Sequence, residues 1–434
     1  MAFRERDDKR IDNTPFDTAR IPPKQNLLFA PGLWVYSKFM TRGTDLKIEK
    51  INMEGLKPPY LVLGSHHSFA DFFVTPLALK PHRANYVSEI EGFEAYGEWF
   101  FRQFGCLGTR KFISDINLVK NIKRIMDRKG ILVLYPEARY ANVGTNTVIP
   151  DSVGKLIKFL KVPVVVINMH GNYLQSPIWN LAKRDGIRMK AELTKILTPE
   201  DCTGRSVEEI MGIVRSALTY DEYKWQQEQG IKITYPKRAE GLHLPLYQCP
   251  VCGKEFEMTS EGIKLRCNSC GAEWEKDEDS RLHLITPAGD ALYDEERFSS
   301  IVNWYEWQRE NVINEIRSGA YHLECDVRVE ALPNGVNFIN LGDGHLSHSD
   351  DGFDLLLTDY GEDAPHLRHF SSNSMFSIHT EYDYRGKGQC VTLSTKENTY
   401  FLFPTDKRNC FNATKIQFAT EYLWQTHQTN QTKK

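Results

Sequence analysis

The chain has 434 residues, 41% of them hydrophobic and 26% charged, which predicts about two to three domains of roughly 100–200 residues each and room for a large core. A formal net charge of −3 excludes a generally basic surface, so an anionic partner has to be met locally and nucleic acid is disfavoured. No apolar run reaches the about 18 residues of a membrane span, and Met1 to Arg10 mixes charges of both signs where a secretory signal would be apolar, so the chain is expected in the cytoplasm.

In chain order, Leu27 to Met40 is apolar and aromatic, interrupted by Pro31-Gly32 and too short to cross a bilayer. It reads either as an interfacial helix, with Trp34, Tyr36 and Phe39 at headgroup depth and Lys38 and Arg42 toward anionic lipid, or as a cap on the core. From about Tyr60 to Lys195, short apolar runs alternate with helical patterns, the signature of an α/β layer structure. Tyr60 to Ser65, Gly130 to Tyr135 and Val162 to Met169 predict buried strands, while Leu118 to Arg128, Val153 to Leu160 and Ser206 to Tyr220 predict helices. Pro236 to Gln248 reads as a linker, followed by a cysteine-rich module to about Leu284 and an aromatic helix from Phe298 to Ile316. Runs with turn signals such as Pro333-Asn334-Gly335 then predict strands, among them Val391 to Ser394 and Thr399 to Phe403. Ala413 to Trp424 places Ile416, Ala419, Tyr422 and Leu423 on one helical face. The expected organisation is an α/β domain over residues 1–235, a small metal-binding module over 236–290 and a β-rich domain closed by a helix over 291–434.

Leu61-Val62-Leu63-Gly64-Ser65-His66-His67-Ser68-Phe69-Ala70-Asp71 carries an apolar strand into a polar turn and a helix-like stretch. Across such a turn Asp71 can accept from one nitrogen of His66, fixing the tautomer and leaving the other nitrogen as a base. Taken alone, such a pair is more often a turn histidine near a helix cap. Leu134-Tyr135-Pro136-Glu137-Ala138-Arg139-Tyr140 ends a second strand in a carboxylate and an arginine, and parallel strands bring such ends to one crevice.

These blocks resemble the glycerolipid acyltransferase family, which includes lysophosphatidate acyltransferases and is defined by a His, four residues, then Asp. Ser65 to Asp71 matches its first block except that the customary Asn is Ser65, and Pro136-Glu137-Ala138-Arg139 is similar to the third, with Ala138 in place of Gly and the arginine one place nearer. Val162-Pro163-Val164-Val165-Val166 resembles the fourth, and Gly105-Cys106-Leu107-Gly108-Thr109-Arg110-Lys111-Phe112-Ile113 has the elements of the second in altered order. The resemblance covers roughly residues 25 to 230. It implies that His66 Nε2 takes a proton from an acceptor hydroxyl attacking an acyl thioester, acyl-CoA or acyl-carrier protein, while Asp71 stabilises the imidazolium. Backbone N–H groups from Ser68 to Asp71 would hold the oxyanion. Arg110, Lys111 and Arg139 would clamp the phosphate of a lysophosphatidate-like acceptor, with Glu137 positioning a hydroxyl or an arginine.

Of the nine cysteines, Cys106, Cys202, Cys325, Cys390 and Cys410 are scattered, whereas Cys249-Pro250-Val251-Cys252-Gly253 and Cys267-Asn268-Ser269-Cys270-Gly271 form two Cys-x-x-Cys knuckles. Four thiolates at this spacing close a tetrahedral shell, which points to structural zinc in a reducing compartment, with iron as the rival metal. The module resembles a zinc ribbon. Its acidic neighbourhood, Glu255, Glu257, Glu261 and Glu273 among others, argues against nucleic acid and leaves a protein partner open. The C-terminal part resembles a pleckstrin-homology or GRAM-type domain, a lipid- or protein-binding module, in which His345, His348, His366 and His369 are expected in solvated loops.

Two functions from different classes follow: an acyltransferase of phospholipid synthesis at the cytoplasmic face of a membrane, or a membrane-attached scaffold that has lost activity. A third keeps the chemistry but changes the acceptor to another lysolipid or to a non-lipid amine or alcohol.

Overall fold

Side chains of the central strands alternate between two buried layers, as a sheet covered on both faces requires. The computed structural model describes residues 14–286, 293–358, 365–406 and 411–432, so the mixed-charge stretch Met1 to Arg10 and Cys410 lie outside the described residues. Strands β1 (Lys47–Ile51), β2 (Tyr60–Gly64), β3 (Asn85–Glu89), β4 (Cys106–Thr109), β5 (Ile131–Leu134), β6 (Val164–His170) and β7 (Lys190–Leu197) form one sheet in the order β1-β7-β6-β2-β5-β3-β4. All neighbours are parallel except β6 and β7. Val62, Val133 and Val165 pack with Val74 and Ala78 of the helix Asp71–Leu79. Leu61, Leu63, Leu132 and Val166 pack with Ile122, Ile157 and Ile210 from the helices Ile116–Asp127, Ser152–Leu160 and Val207–Ala217. Asp115 and Ser206 cap two of these helices by accepting from their first-turn amides.

The proline of Leu27 to Met40 does not break the segment. Pro31 falls in the first turn of the helix Ala30–Met40, where no amide donor is needed. That helix leans on Asp71–Leu79, with Tyr36 edge-on to Phe73 at 5.6 Å, and leaves Leu27, Leu28, Val35, Tyr36 and Phe39 exposed. Phe69 and Trp99 are exposed beside it, through Phe73 and Phe29 respectively. Among the described residues, no helix is long and apolar enough to cross a membrane.

A second sheet, β11-β10-β9-β8, joins β8 (Met258–Glu261), β9 (Lys264–Cys267), β10 (Glu273–Lys276) and β11 (Leu282–Leu284). A third contains β12 (Leu323–Ala331), β13 (Ile339–Ser349), β14 (Gly352–Leu357), β15 (His366–Ser371), β16 (His379–Glu381), β17 (Cys390–Ser394) and β18 (Thr399–Pro404). Its order is β15-β14-β13-β12-β18-β17-β16, antiparallel throughout, a half-barrel followed by the helix Ala413–Thr432.

Two expectations are corrected here. Pro236 to Gln248 is no free linker: Leu242, Leu246 and Tyr247 are buried, and Gln308 on the helix Ile301–Arg317 accepts from the Gln248 amide (2.9 Å) and donates to the Pro245 carbonyl (2.9 Å). The apolar side chains of this strap have a core to enter, because Trp304 and Trp274 join ribbon, helix and half-barrel in one hydrophobic cluster. The C-terminal histidines lie in strands rather than loops: His345 and His348 on β13, His366 and His369 on β15.

Buried histidines tie stability to pH. His67 and His348 are enclosed, and burial pushes both imidazoles down to about 3, with Asp71 partly opposing this at His67. Above about pH 6.5 both folded and unfolded chains hold these rings neutral; as pH falls from there toward 3, only the unfolded chain takes up the protons, so stability is lost. Each ring contributes about 1.4 kcal/mol per pH unit well below 6.5, against carboxyls such as Glu381 that burial raises to about 7 and that gain stability over the same range. The change in stability between pH 7 and pH 5.5, read by urea denaturation, is therefore expected to be about 1 kcal/mol less unfavourable in His348→Gln than in the wild type. The same pH dependence in the two proteins would show that the His348 ring titrates in the fold as it does in the unfolded chain.

Candidate active site

The ends of β2, β3, β4, β5 and β6 share one edge, and chemistry-bearing side chains collect there. Asp71 opens its helix and is fully buried. Its Oδ2 accepts from His66 Nδ1 (2.8 Å) and from the amides of His67 (2.7 Å) and Ser68 (3.2 Å), and its Oδ1 from Asn172 Nδ2 (2.7 Å). Burial alone would raise the Asp71 carboxyl, but the hydrogen bond and charge of His66, with His67 and Asn172, hold it below the usual carboxylate range. With Nδ1 tied to a carboxylate, the imidazole proton sits on Nδ1 and Nε2 keeps its lone pair. Among the described residues nothing bonds Nε2, and His66 is 9% exposed.

Aromatic rings fix the plane of this imidazole. Tyr135 lies 4.3 Å from it and Tyr140 4.2 Å, and Phe72 meets it edge-on at 5.7 Å. Thr75 anchors the Tyr135 hydroxyl (2.9 Å). His67 is separate: it stacks on Tyr220 at 3.6 Å, and its Nε2 meets Ser65 Oγ at 2.6 Å. Three of the amides expected to hold an oxyanion are used within the turn, that of Ser68 by Asp71, Ala70 by Ser68 Oγ and Asp71 by the Ser68 carbonyl. Among the described residues the Phe69 N–H is the turn's remaining donor.

The residues expected to clamp a phosphate are engaged elsewhere. Arg110 Nη1 donates to the Leu332 carbonyl (2.9 Å) and Thr399 Oγ1 (2.9 Å), and its Nη2 to the carbonyls of Pro333 (2.6 Å) and Glu397 (2.8 Å). Arg139 Nη2 pairs with Glu421 (3.0 Å) on the C-terminal helix, where Arg309 also bonds Glu421 (2.6 Å). Glu137 accepts from the Thr147 amide (3.0 Å) and hydroxyl (2.8 Å), so it closes the loop after β5 rather than orienting an arginine. Burial raises its carboxyl, partly offset by Thr147. The physical reason is common to the two arginines: each faces the half-barrel unit, which offers carbonyls and a carboxylate in a dry interface. Removing one partner of the enclosed Arg139–Glu421–Arg309 set leaves uncompensated charge, so Glu421→Ala is expected to lower stability by about 3–5 kcal/mol, read as a lower denaturant midpoint; a change below about 1 kcal/mol would contradict the arrangement.

Lys111 is engaged as well. It pairs with Glu89 and meets the His379 ring at 3.1 Å, and His379 Nε2 bonds Glu381 (3.0 Å). His379 and Glu381 come from β16, so the half-barrel supplies part of the wall. Burial pushes the Glu381 carboxyl up to about 7, opposed by the Lys111 charge and reinforced by Glu89. Asn172, Tyr135, Tyr140, Glu89, His379 and Glu381 were not singled out from the sequence. The position of Asn172 just after the apolar strand β6 is the one local signal.

The four knuckle cysteines also converge. Cys249 and Cys270 Sγ lie 3.7 Å apart, Cys252 and Cys267 3.8 Å, and all four sulfurs are within 4.8 Å of one another. These separations are too long for disulfides and match the edge of about 3.8 Å that a tetrahedron with zinc–sulfur bonds of about 2.3 Å has. The cluster can therefore hold a structural metal ion.

No protein-family model matches the chain, and no curated protein does. Among solved structures it is similar to the 1-acyl-sn-glycerophosphate (LPA) acyltransferase PlsC from Thermotoga maritima, with a TM-score of 0.35 and 14% identity, over 43% of this chain and 79% of that one.

Proposed function

We propose that the chain transfers an acyl group from a thioester donor, acyl-CoA or acyl-carrier protein, to a free hydroxyl, with His66 as general base and Asp71 as its positioning partner. The observation that carries the reading is the 2.8 Å bond from His66 Nδ1 to Asp71, with Nε2 left unpartnered on a ring held between two tyrosines. Nε2 takes the hydroxyl proton as that oxygen attacks the thioester carbonyl. The tetrahedral oxyanion meets the Phe69 N–H; its collapse breaks the carbon–sulfur bond, and the imidazolium returns the proton to the leaving thiolate. An acyl ester and a free thiol result.

The enzyme works at the cytoplasmic face of a membrane, where the exposed Leu28, Val35, Phe39 and Phe69 enter the interface. From there Phe69 touches Phe72, and Phe72 touches His66, an apolar route for a chain. Exchanging Leu28 and Phe39 for glutamate is expected to weaken sedimentation with anionic vesicles about tenfold or more; unchanged sedimentation would assign the patch to another surface. Zinc in the four-cysteine cluster is structural, since four sulfur ligands leave no open position. The half-barrel and its helix serve as a pleckstrin-homology- or GRAM-like module.

One observation favours a second reading. The half-barrel unit and the C-terminal helix occupy Arg110 and Arg139, as an inactive scaffold holding its own fold together would do. Acceptor-dependent release of free thiol from a long-chain acyl-CoA separates the two: release at a steady rate supports transfer, and none with any lysolipid, diol or amine supports the scaffold.

A further inference from the structure

The cations around His66 are already committed. Four of the five N–H donors of Arg110 bond the half-barrel unit, Arg139 is paired with Glu421, and Lys111 is paired with Glu89. Each guanidinium keeps its Nε as the buried nitrogen without a partner. A single N–H on an enclosed side chain is not the fork that binds a phosphate oxygen pair. A phosphate monoester would bring about two negative charges beside Asp71, Glu89 and Glu381, and desolvation would go uncompensated.

Hydroxyl groups meet the opposite situation. The Glu89 side chain is 35% exposed and that of Glu381 18%, so each carboxyl can accept from a ligand. Both act electrostatically on Tyr140, whose ring lies 4.2 Å from His66. Lys111 and His379 hold one side of these carboxyls, Lys111 that of Glu89 and His379 that of Glu381, and so fix their direction. Carboxyl oxygens with lone pairs to spare suit adjacent hydroxyls, each of which has a hydrogen to give. Beside them His66, 9% exposed, offers an Nε2 without a partner.

We infer that the acceptor is an uncharged polyhydroxyl amphipath, glycerol- or sugar-headed, and not a phosphate monoester, with Glu89 and Glu381 accepting from hydroxyls next to the one that reacts. This rests on the acyl-transfer reading, but its test does not need turnover. Isothermal titration of the purified full chain, without acyl donor, compares monooctanoylglycerol, its phosphate monoester and octyl glucoside. An uncharged compound is expected to bind about tenfold or more tightly than the phosphate, and Glu381→Gln is expected to shrink that ratio. Glucoside tighter than glycerol assigns a sugar head; the reverse assigns glycerol. Equal or tighter binding of the phosphate overturns the inference, as does binding of none of the three. Uncharged binding without thiol release would keep the inference and reject transfer, whereas thiol release with a preference for the phosphate would do the opposite.

Discussion

Asp71→Asn is expected to lower acyl transfer by about 10³–10⁴-fold while leaving the chain folded. The carboxylate accepts on Oδ2 from His66, His67 and Ser68 and on Oδ1 from Asn172, so no oxygen is idle. An amide cannot replace it in either orientation. With its oxygen toward His67 and Ser68, its nitrogen faces the Asn172 donor; turned over, its nitrogen faces two backbone donors and donates to His66 Nδ1, moving the ring proton to Nε2 and removing the base. Both orientations lose the charge that stabilises an imidazolium. Single-turnover transfer of a labelled acyl group, with circular dichroism to verify folding, checks this. A loss below about tenfold would mean that Asp71 acts only as a helix cap.

Emptying the four-cysteine cluster of the proposed zinc is expected to have the larger effect on stability. Structural zinc contributes about 10–16 kcal/mol in isolated zinc-binding peptides, and here the loss would reach beyond the ribbon. Trp274 on β10 lies 5.0 Å from Trp304, and Tyr247 and Phe298 share their cluster. Opening the thiolate shell frees β9 and β10 and exposes the strap that seats the helix Ile301–Arg317. Metal analysis is expected to find one zinc per chain, and a strong chelator, or Cys267→Ser, to lower Tm sharply and shift tryptophan emission to the red. Iron in place of zinc would correct the metal. An unchanged Tm after complete metal removal would refute the structural role.

Local pattern made some of this legible and distance hid the rest. β2, β5 and β6 stand out because strands covered on both faces are continuous apolar runs, and the cysteine pairs because both ligands of a knuckle are close in sequence. The bond between His66 and Asp71 spans one turn. The Asn172 bond to Asp71 joins residues 101 apart, and Arg110 finds Leu332 222 residues away, so no local window contains either. An arginine at a strand end looks alike whether it awaits a phosphate or a carbonyl of another unit. The strap from Pro236 to Gln248 was hidden the same way: Leu242, Leu244 and Leu246 alternate only briefly and around Pro245, and their burial depends on a helix that begins at Ile301. Ala138, where the resembled block has glycine, adopts φ +55°, a left-handed conformation that glycine takes at less cost.

The central claim is that His66 Nε2 is the base. The most direct measurement is transfer of a labelled acyl chain by the purified wild-type chain beside His66→Ala, at saturating donor and with matched Tm. The account predicts transfer by the wild type and a rate lower by about 10²–10⁴-fold in the variant. Equal rates in the two proteins would contradict it.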